Sequence, residues 1–178
     1  VNFALQNLLG SHDTERFLTM CGGDTAAMRL AWLFQMTYPG APMIYYGDEI
    51  GMEGGRDPDC RKTMVWDPAG QDTALLGTMR SLTALRTSHD VLRLGEYARV
   101  LADDGNKTLV FARRSADATA LVMLNRSRSP VTVTIPRTAA GPSLQQAWPA
   151  QPVPWSMTEE SITATLRPMA GVVFIGAR

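Results

Sequence analysis

No stretch of this 178-residue chain approaches the roughly 20 consecutive apolar residues that a bilayer-spanning helix needs. Net charge is also missing, since 17 basic and 17 acidic residues cancel. No broad field is left to draw nucleic acid or an anionic membrane surface, so the charge balance favours a ligand that is uncharged or engaged only locally. Cysteine is scarce. Cys21 and Cys60 lie far apart with no CxxC and no nearby histidine, which argues against a disulfide framework or a metal site and for two unpaired thiols. The opening VNFALQN has neither an initiator Met nor the basic flank of a signal peptide. The expectation is a piece of a longer protein, with its compartment left open.

What is present divides into two grammars. Up to about residue 88, strand-like and helix-like segments alternate. ALQNLLG suits a short buried strand. DTAAMRLAWLFQMTY then places Met28, Leu30, Ala31, Leu33, Phe34 and Met36 near helical spacing, with Asp24-Thr25 as the N-cap signal and Pro39-Gly40 as the stop. APMIYYGDEIG follows, with Met43–Tyr46 as a second strand. The distance from one strand to the next is that of a strand-helix-strand unit in a parallel sheet. A further helix is expected over 73–87, on Leu75, Leu76, Met79, Leu82 and Leu85. After His89 come short β-rich runs separated by turn residues: ARVLADD, TLVFARRS, ALVMLNRS, PVTVTIP, ITATL and GVVFIGA. These predict an antiparallel sandwich. The domains are therefore 1–88, α/β, and 89–178, all-β. Two parallel strands cannot cover both their faces, so further strands are expected upstream.

Both strand-like runs of the first half end in Gly and then in polar residues: LLGSHDTER and IYYGDEIG. Reactive residues of α/β folds sit at the carboxyl ends of strands, where loops converge over a rigid sheet. A third cluster, GGRDPDCRKTMVWD, puts Asp57, Asp59, Arg61 and Lys62 close in sequence to Trp66, a mixture suited to hydrogen-bonding sugar hydroxyls and covering an apolar ring face. Plainer readings stand beside these. Asp13-Thr14-x-Arg16 also reads as an N-cap with a solvated first turn, Asp48-Glu49 as a turn with exposed carboxylates, and Asp57-Pro58-Asp59 as another turn. His89 reads as a surface or capping group, and Trp32 as core.

Taken together, the longer words resemble one family. NLLGSHDTER resembles the fourth sequence region of the α-amylase family, glycoside hydrolase family 13, in which the seventh barrel strand ends in a His-Asp pair. GAPMIYYGDEIGMEGGRDPDCRKTMVWD resembles the eighth-strand region and following loop of its neopullulanase, cyclomaltodextrinase and maltogenic amylase subgroup. LVFARR and LVMLNRS are similar to runs in the family's C-terminal domain.

The resemblance implies the last two βα units of an incomplete (β/α)8 barrel, followed by an antiparallel β-sandwich. It implies a glycosidase that retains configuration at α-1,4 or α-1,6 bonds of maltooligosaccharides, cyclodextrins or pullulan. That mechanism needs two carboxyl groups about 5 Å apart, which the family carries on its fourth and fifth strands, and neither strand is expected here. Asp13 matches the third acid, which stabilises the transition state, and His12 a residue bonding the same sugar. Asp57 and Arg61 match positions holding the next sugar units, while Glu49 matches no catalytic position. The isolated chain is accordingly expected to be inactive. No cofactor is expected, and any calcium would belong to the absent amino-terminal portion. The expected partners are an α-glucan oligosaccharide and that missing barrel portion. Alternatives are a transglycosylase of the same family, a non-catalytic glucan-binding module using Trp148 and Trp155, for which packing into the sandwich is the favoured reading, or a fragment that self-associates through unpaired strands.

Overall fold

The computed structural model describes residues 4–177, so Val1, Asn2, Phe3 and Arg178, at the ends of the two expected domains, lie outside the described residues. The chain forms two compact units. One holds the residues up to Met36 together with Gly40–Ala84; the other holds Thr37–Pro39 and the chain from Leu85 onward.

The first unit begins with strand β1 (Gln6–Leu8), the four-residue helix α1 (Phe17–Met20), helix α2 (Thr25–Thr37) and strand β2 (Ala41–Met43). β1 and β2 pair in parallel, Gln6 opposite Ala41 and Leu8 opposite Met43, as the strand-helix-strand spacing predicts. Asp24 caps α2 through Oδ1, which accepts from the amides of Ala26 and Ala27 at 2.9 and 3.1 Å, relieving two of the orphan donors at a helix start. The inward face of α2 buries Met28, Leu30, Leu33 and Met36, and Trp32 is core as well. Buried Gln35 holds both strands, its Nε2 donating to the Asn7 and Met43 carbonyls at 2.8 and 2.9 Å. Between the helix and β2, Gly40 has φ of +117°, and a Cβ there would come within 2.6 Å of the Leu5 carbonyl. Only glycine fits that corner.

Two expectations about these strands need correction. β1 is not buried: Leu5 and Leu8 stand 54% and 44% exposed, because a pair of three-residue parallel strands offers no layer to cover both faces. The second strand ends at Met43, and Ile44–Tyr46 leave the ladder to run into a 3-10 turn, Asp48–Ile50. Helix α3 (Thr73–Ser88) follows, capped by Asp72 through bonds from Ala74 and Leu75 N–H, both 2.9 Å. Its Leu75, Met79, Leu82 and Leu85 are buried at the expected spacing.

The second unit starts with helix α4 (Asp90–Leu94), for which His89 occupies the N-cap position without a side-chain capping bond. Eight strands follow: β3 (Glu96–Asp103), β4 (Thr108–Arg114), β5 (Ala118–Asn125), β6 (Val131–Pro136), β7 (Gln145–Trp148), β8 (Trp155–Met157), β9 (Ser161–Leu166) and β10 (Ala170–Ala177). They form antiparallel sheets of order β3-β4-β5-β10-β7 and β6-β9-β8. The core lies between them, with Leu121, Met123 and Phe174 from one sheet meeting Val133, Ile162 and Leu166 from the other. β9 shows the cause. SITATL turns Ile162, Ala164 and Leu166 inward and leaves Thr163 and Thr165 outward, bonded to Thr134 and Thr132 at 3.0 and 2.9 Å.

β7 and β8 are strands that the sequence reading omits, since they lie in the Pro-rich stretch around AWPAQPVPW. Trp155 packs on the core, its ring 4.7 Å from that of Phe174, as the packing reading prefers. α4 lies against β4 and β5. Beside it, buried Arg113 donates to the carbonyls of Thr37 (2.7 Å), Leu92 (2.7 Å) and Gly95 (2.7 and 3.1 Å). Burial, and then the charge of Arg86, lowers its guanidinium to about 10.

Candidate functional site

The loops leaving the carboxyl ends of β1 and β2 carry the polar residues of the first unit. After β1 the chain turns at Ser11–Thr14, where the Ser11 amide donates to Thr14 Oγ1 at 2.9 Å and the Asp13 amide to Ser11 Oγ at 3.1 Å. His12 and Asp13 project from this turn, their side chains 66% and 69% exposed, with His12 Nε2 3.3 Å from Asp13 Oδ2. Asp13 is not a helix cap. The N-cap position of α1 is Arg16, with no side-chain capping bond, and Arg16 is fully buried rather than part of a solvated turn.

After β2 the loop is folded by its own polar groups. A Cβ on Gly54 would meet the Asp59 carbonyl at 2.5 Å, and the Gly55 amide donates to Asp59 Oδ2 at 2.6 Å. That bond, with Lys62 3.0 Å from the other oxygen, holds the Asp59 carboxyl below the usual carboxylate range. Asp57-Pro58 is a cis peptide, and a 3-10 turn over Asp59–Arg61 presents Arg61.

Arg61 brings the two loops together. Its Nε donates to the His12 carbonyl at 3.0 Å and lies 3.0 Å from Asp57 Oδ1, while its Nη2 lies 3.7 Å from Asp13 Oδ1. Buried Cys60 adds a bond from its thiol to the same His12 carbonyl at 3.4 Å, and both cysteines are unpaired. His12, Asp13, Asp57 and Arg61 thus form one cluster. Trp66 stands 80% exposed on the same loop.

A second pairing, absent from the sequence reading, is buried. Asp48 is buried, not an exposed turn carboxylate, and its Oδ1 accepts from Arg16 Nη1 at 3.1 Å. The same Nη1 donates to the Tyr46 carbonyl. The guanidinium carbon lies 4.3 and 4.7 Å from the Tyr45 and Tyr46 ring centroids, where the negative ring faces attract a cation. Burial outweighs the pull of Arg16 and pushes the Asp48 carboxyl up to about 6, with the charge of Glu49 adding to the rise. The Arg16 amide donates to the Gly54 carbonyl at 2.9 Å, and Tyr46 Oη to the Lys62 carbonyl at 2.7 Å. The two loops that carry the exposed cluster are therefore joined by a buried ion pair. No local pattern announces that pair, because its members face each other only once β1 and β2 are side by side.

Comparison with known proteins meets this geometry. Residues 2–75 match the model of the α-amylase catalytic domain, and residues 98–173 that of the maltogenic amylase C-terminal domain. The chain belongs to the α-amylase family. It is 49% identical over 141 residues to a cyclomaltodextrinase of Geobacillus thermopakistaniensis (strain MAS1), covering 79% of this chain and 24% of that protein. To neopullulanase 2 of Thermoactinomyces vulgaris it is 47% identical over 131 residues, 74% of this chain and 22% of that one. A solved cyclomaltodextrinase structure superposes with a TM-score of 0.86 at 32% identity, covering 99% of this chain and 30% of its own. This α-amylase family chain therefore spans about a quarter of the length of the curated relatives it matches.

Proposed function

We propose that this chain is the carboxyl-terminal part of an α-glucan glycoside hydrolase that acts on α-1,4 or α-1,6 bonds of maltooligosaccharides, cyclodextrins or pullulan. On this reading the first unit is the last two strand-helix units of a (β/α)8 barrel and the second is the sandwich that follows it. The observation that carries the proposal is the Arg61 bridge. It gathers His12, Asp13 and Asp57 at the carboxyl ends of two adjacent parallel strands, the end of a barrel at which active sites are built.

The chemistry follows from the groups present. Glycoside cleavage passes through an oxocarbenium-like transition state with positive charge at the anomeric centre. Asp13, projecting from its turn, supplies negative charge to oppose it and acceptors for sugar hydroxyls, and His12 bonds the same sugar. Asp57 and Arg61 hold the neighbouring unit, exchanging their mutual contact for hydroxyl groups. The nucleophile and the acid/base come from the amino-terminal part of the barrel, so the chain alone binds sugar and does not cleave it. The exposed apolar side chains of Leu5, Leu8 and Ile44 are the places where the remaining barrel packs.

The test compares the 178-residue chain with the longer protein that contains it, on maltotriose, pullulan and β-cyclodextrin. The expected result is hydrolysis by the longer protein only. Hydrolysis by the purified short chain that survives Asp13→Asn would show that the missing carboxyls are misassigned.

A further inference from the structure

Beside the cluster opens a depression of about 460 Å³ lined by Asp13, Thr14, Glu15, Met20, Arg56 and Asp57. Asp13 and Asp57 belong both to the Arg61 cluster and to this lining, so the two features are continuous. Of the other residues, Thr14 closes the Ser11–Thr14 turn through its Oγ1, whereas the side chains of Glu15, Met20 and Arg56 face the solvent side of the depression. Glu15 Oε1 lies 3.4 Å from Arg56 Nε, but the Arg56 side chain is 92% exposed, and an ion pair so open to water contributes little to stability. Met20, the last residue of α1, stands 61% exposed within a polar rim.

The backbone that carries these side chains is nevertheless fixed. The Arg16 amide, next to Glu15, donates to the Gly54 carbonyl at 2.9 Å; the Asp59 amide donates to the Arg56 carbonyl at 2.9 Å; and the Met20 amide donates to the Arg16 carbonyl at 3.0 Å. A carboxylate, a guanidinium and an apolar face are thus held around a hollow of ligand size, the combination that bonds the hydroxyls of a neutral ring and covers its C–H face.

We infer that Glu15, Arg56 and Met20 form an outer subsite that takes a further glucosyl unit of an α-glucan, beyond the units held by Asp13, Asp57 and Arg61. The inference rests on the α-glucan reading above. Glucan entering the depression exchanges the water-screened Glu15–Arg56 contact for sugar hydroxyls, so chain length becomes a determinant of specificity.

The experiment uses the longer protein and its variants Glu15→Ala, Arg56→Ala and Met20→Ser, measuring the ratio of kcat/KM for maltoheptaose to that for maltotriose. Only the longer substrate reaches the outer position, so the ratio is expected to fall about fivefold to tenfold in each variant, the loss of one binding contact. A ratio within about twofold of the wild type in all three overturns the subsite alone. A wild-type protein that hydrolyses neither substrate overturns the α-glucan reading and the subsite with it.

Discussion

Nη2 of Arg61 stands 3.7 Å from Asp13 Oδ1, which joins the loop after β2 to the loop after β1. Both side chains are largely exposed, so the contact is screened by water and does little to hold the fold. Its consequence is positional: it keeps a carboxylate and a guanidinium facing the same space. In the longer hydrolase proposed above, Arg61→Ala is expected to raise KM for maltotriose about tenfold while the melting temperature moves by no more than about 2 °C. Kinetics and a thermal melt check both halves, and a large loss of melting temperature with unchanged KM would assign Arg61 to the fold instead.

The buried Asp48 gives a pH signature. Its folded value of about 6 exceeds the ordinary 3.8, so between these the folded protein holds a proton that the unfolded chain has released. This group's contribution to stability is full below about pH 4 and is lost as pH rises through 6. Asp48→Asn removes that dependence. In urea unfolding, the stability of the variant relative to wild type should shift in the variant's favour by up to ~3 kcal/mol between pH 4 and pH 7. A difference that stays flat over the range contradicts the burial argument.

Gln35 satisfies one carbonyl on each parallel strand from a buried position. Gln35→Leu keeps the volume and removes the two bonds that Nε2 donates to the Asn7 and Met43 carbonyls. The expected cost is about 1–3 kcal/mol in denaturant unfolding, and no measurable loss would mean that those carbonyls are satisfied otherwise.

Gly40 combines a φ of +117° with a backbone carbonyl where a Cβ would sit. Gly40→Ala should destabilise the chain by about 1–3 kcal/mol or more, whereas Ala substituted at Gly77, where a Cβ meets nothing within 4 Å, should stabilise α3 by about 0.5–1 kcal/mol. Comparing the two urea midpoints separates corner strain from the general effect of losing a glycine.

Much of this was legible in the sequence because local signals and tertiary need agreed. Asp24 followed by the apolar spacing of α2, and the alternation in SITATL, each specify one element with one buried face. The failures have a common cause. The apolar content of ALQNLLG predicts burial, but burial depends on layers that the sequence of one strand does not contain. β7 and β8 hide among prolines, where β-propensity is weak and the pairing partners supply the order. Of the candidate site, His12, Asp13, Asp57 and Arg61 stand out through long motifs, and the structure brings the four together. Asp48 carries no such signal, because a carboxylate after a Gly looks like a turn until a buried guanidinium is placed opposite it.

The most direct test is Asp13→Asn in the longer hydrolase proposed above, with kcat/KM for maltotriose as the readout. The change keeps the size and one acceptor oxygen and removes the charge that opposes an oxocarbenium-like transition state. The account predicts a fall of about 10²–10³-fold or more with the fold intact by circular dichroism. A folded variant that retains activity within about tenfold of the wild type would contradict it.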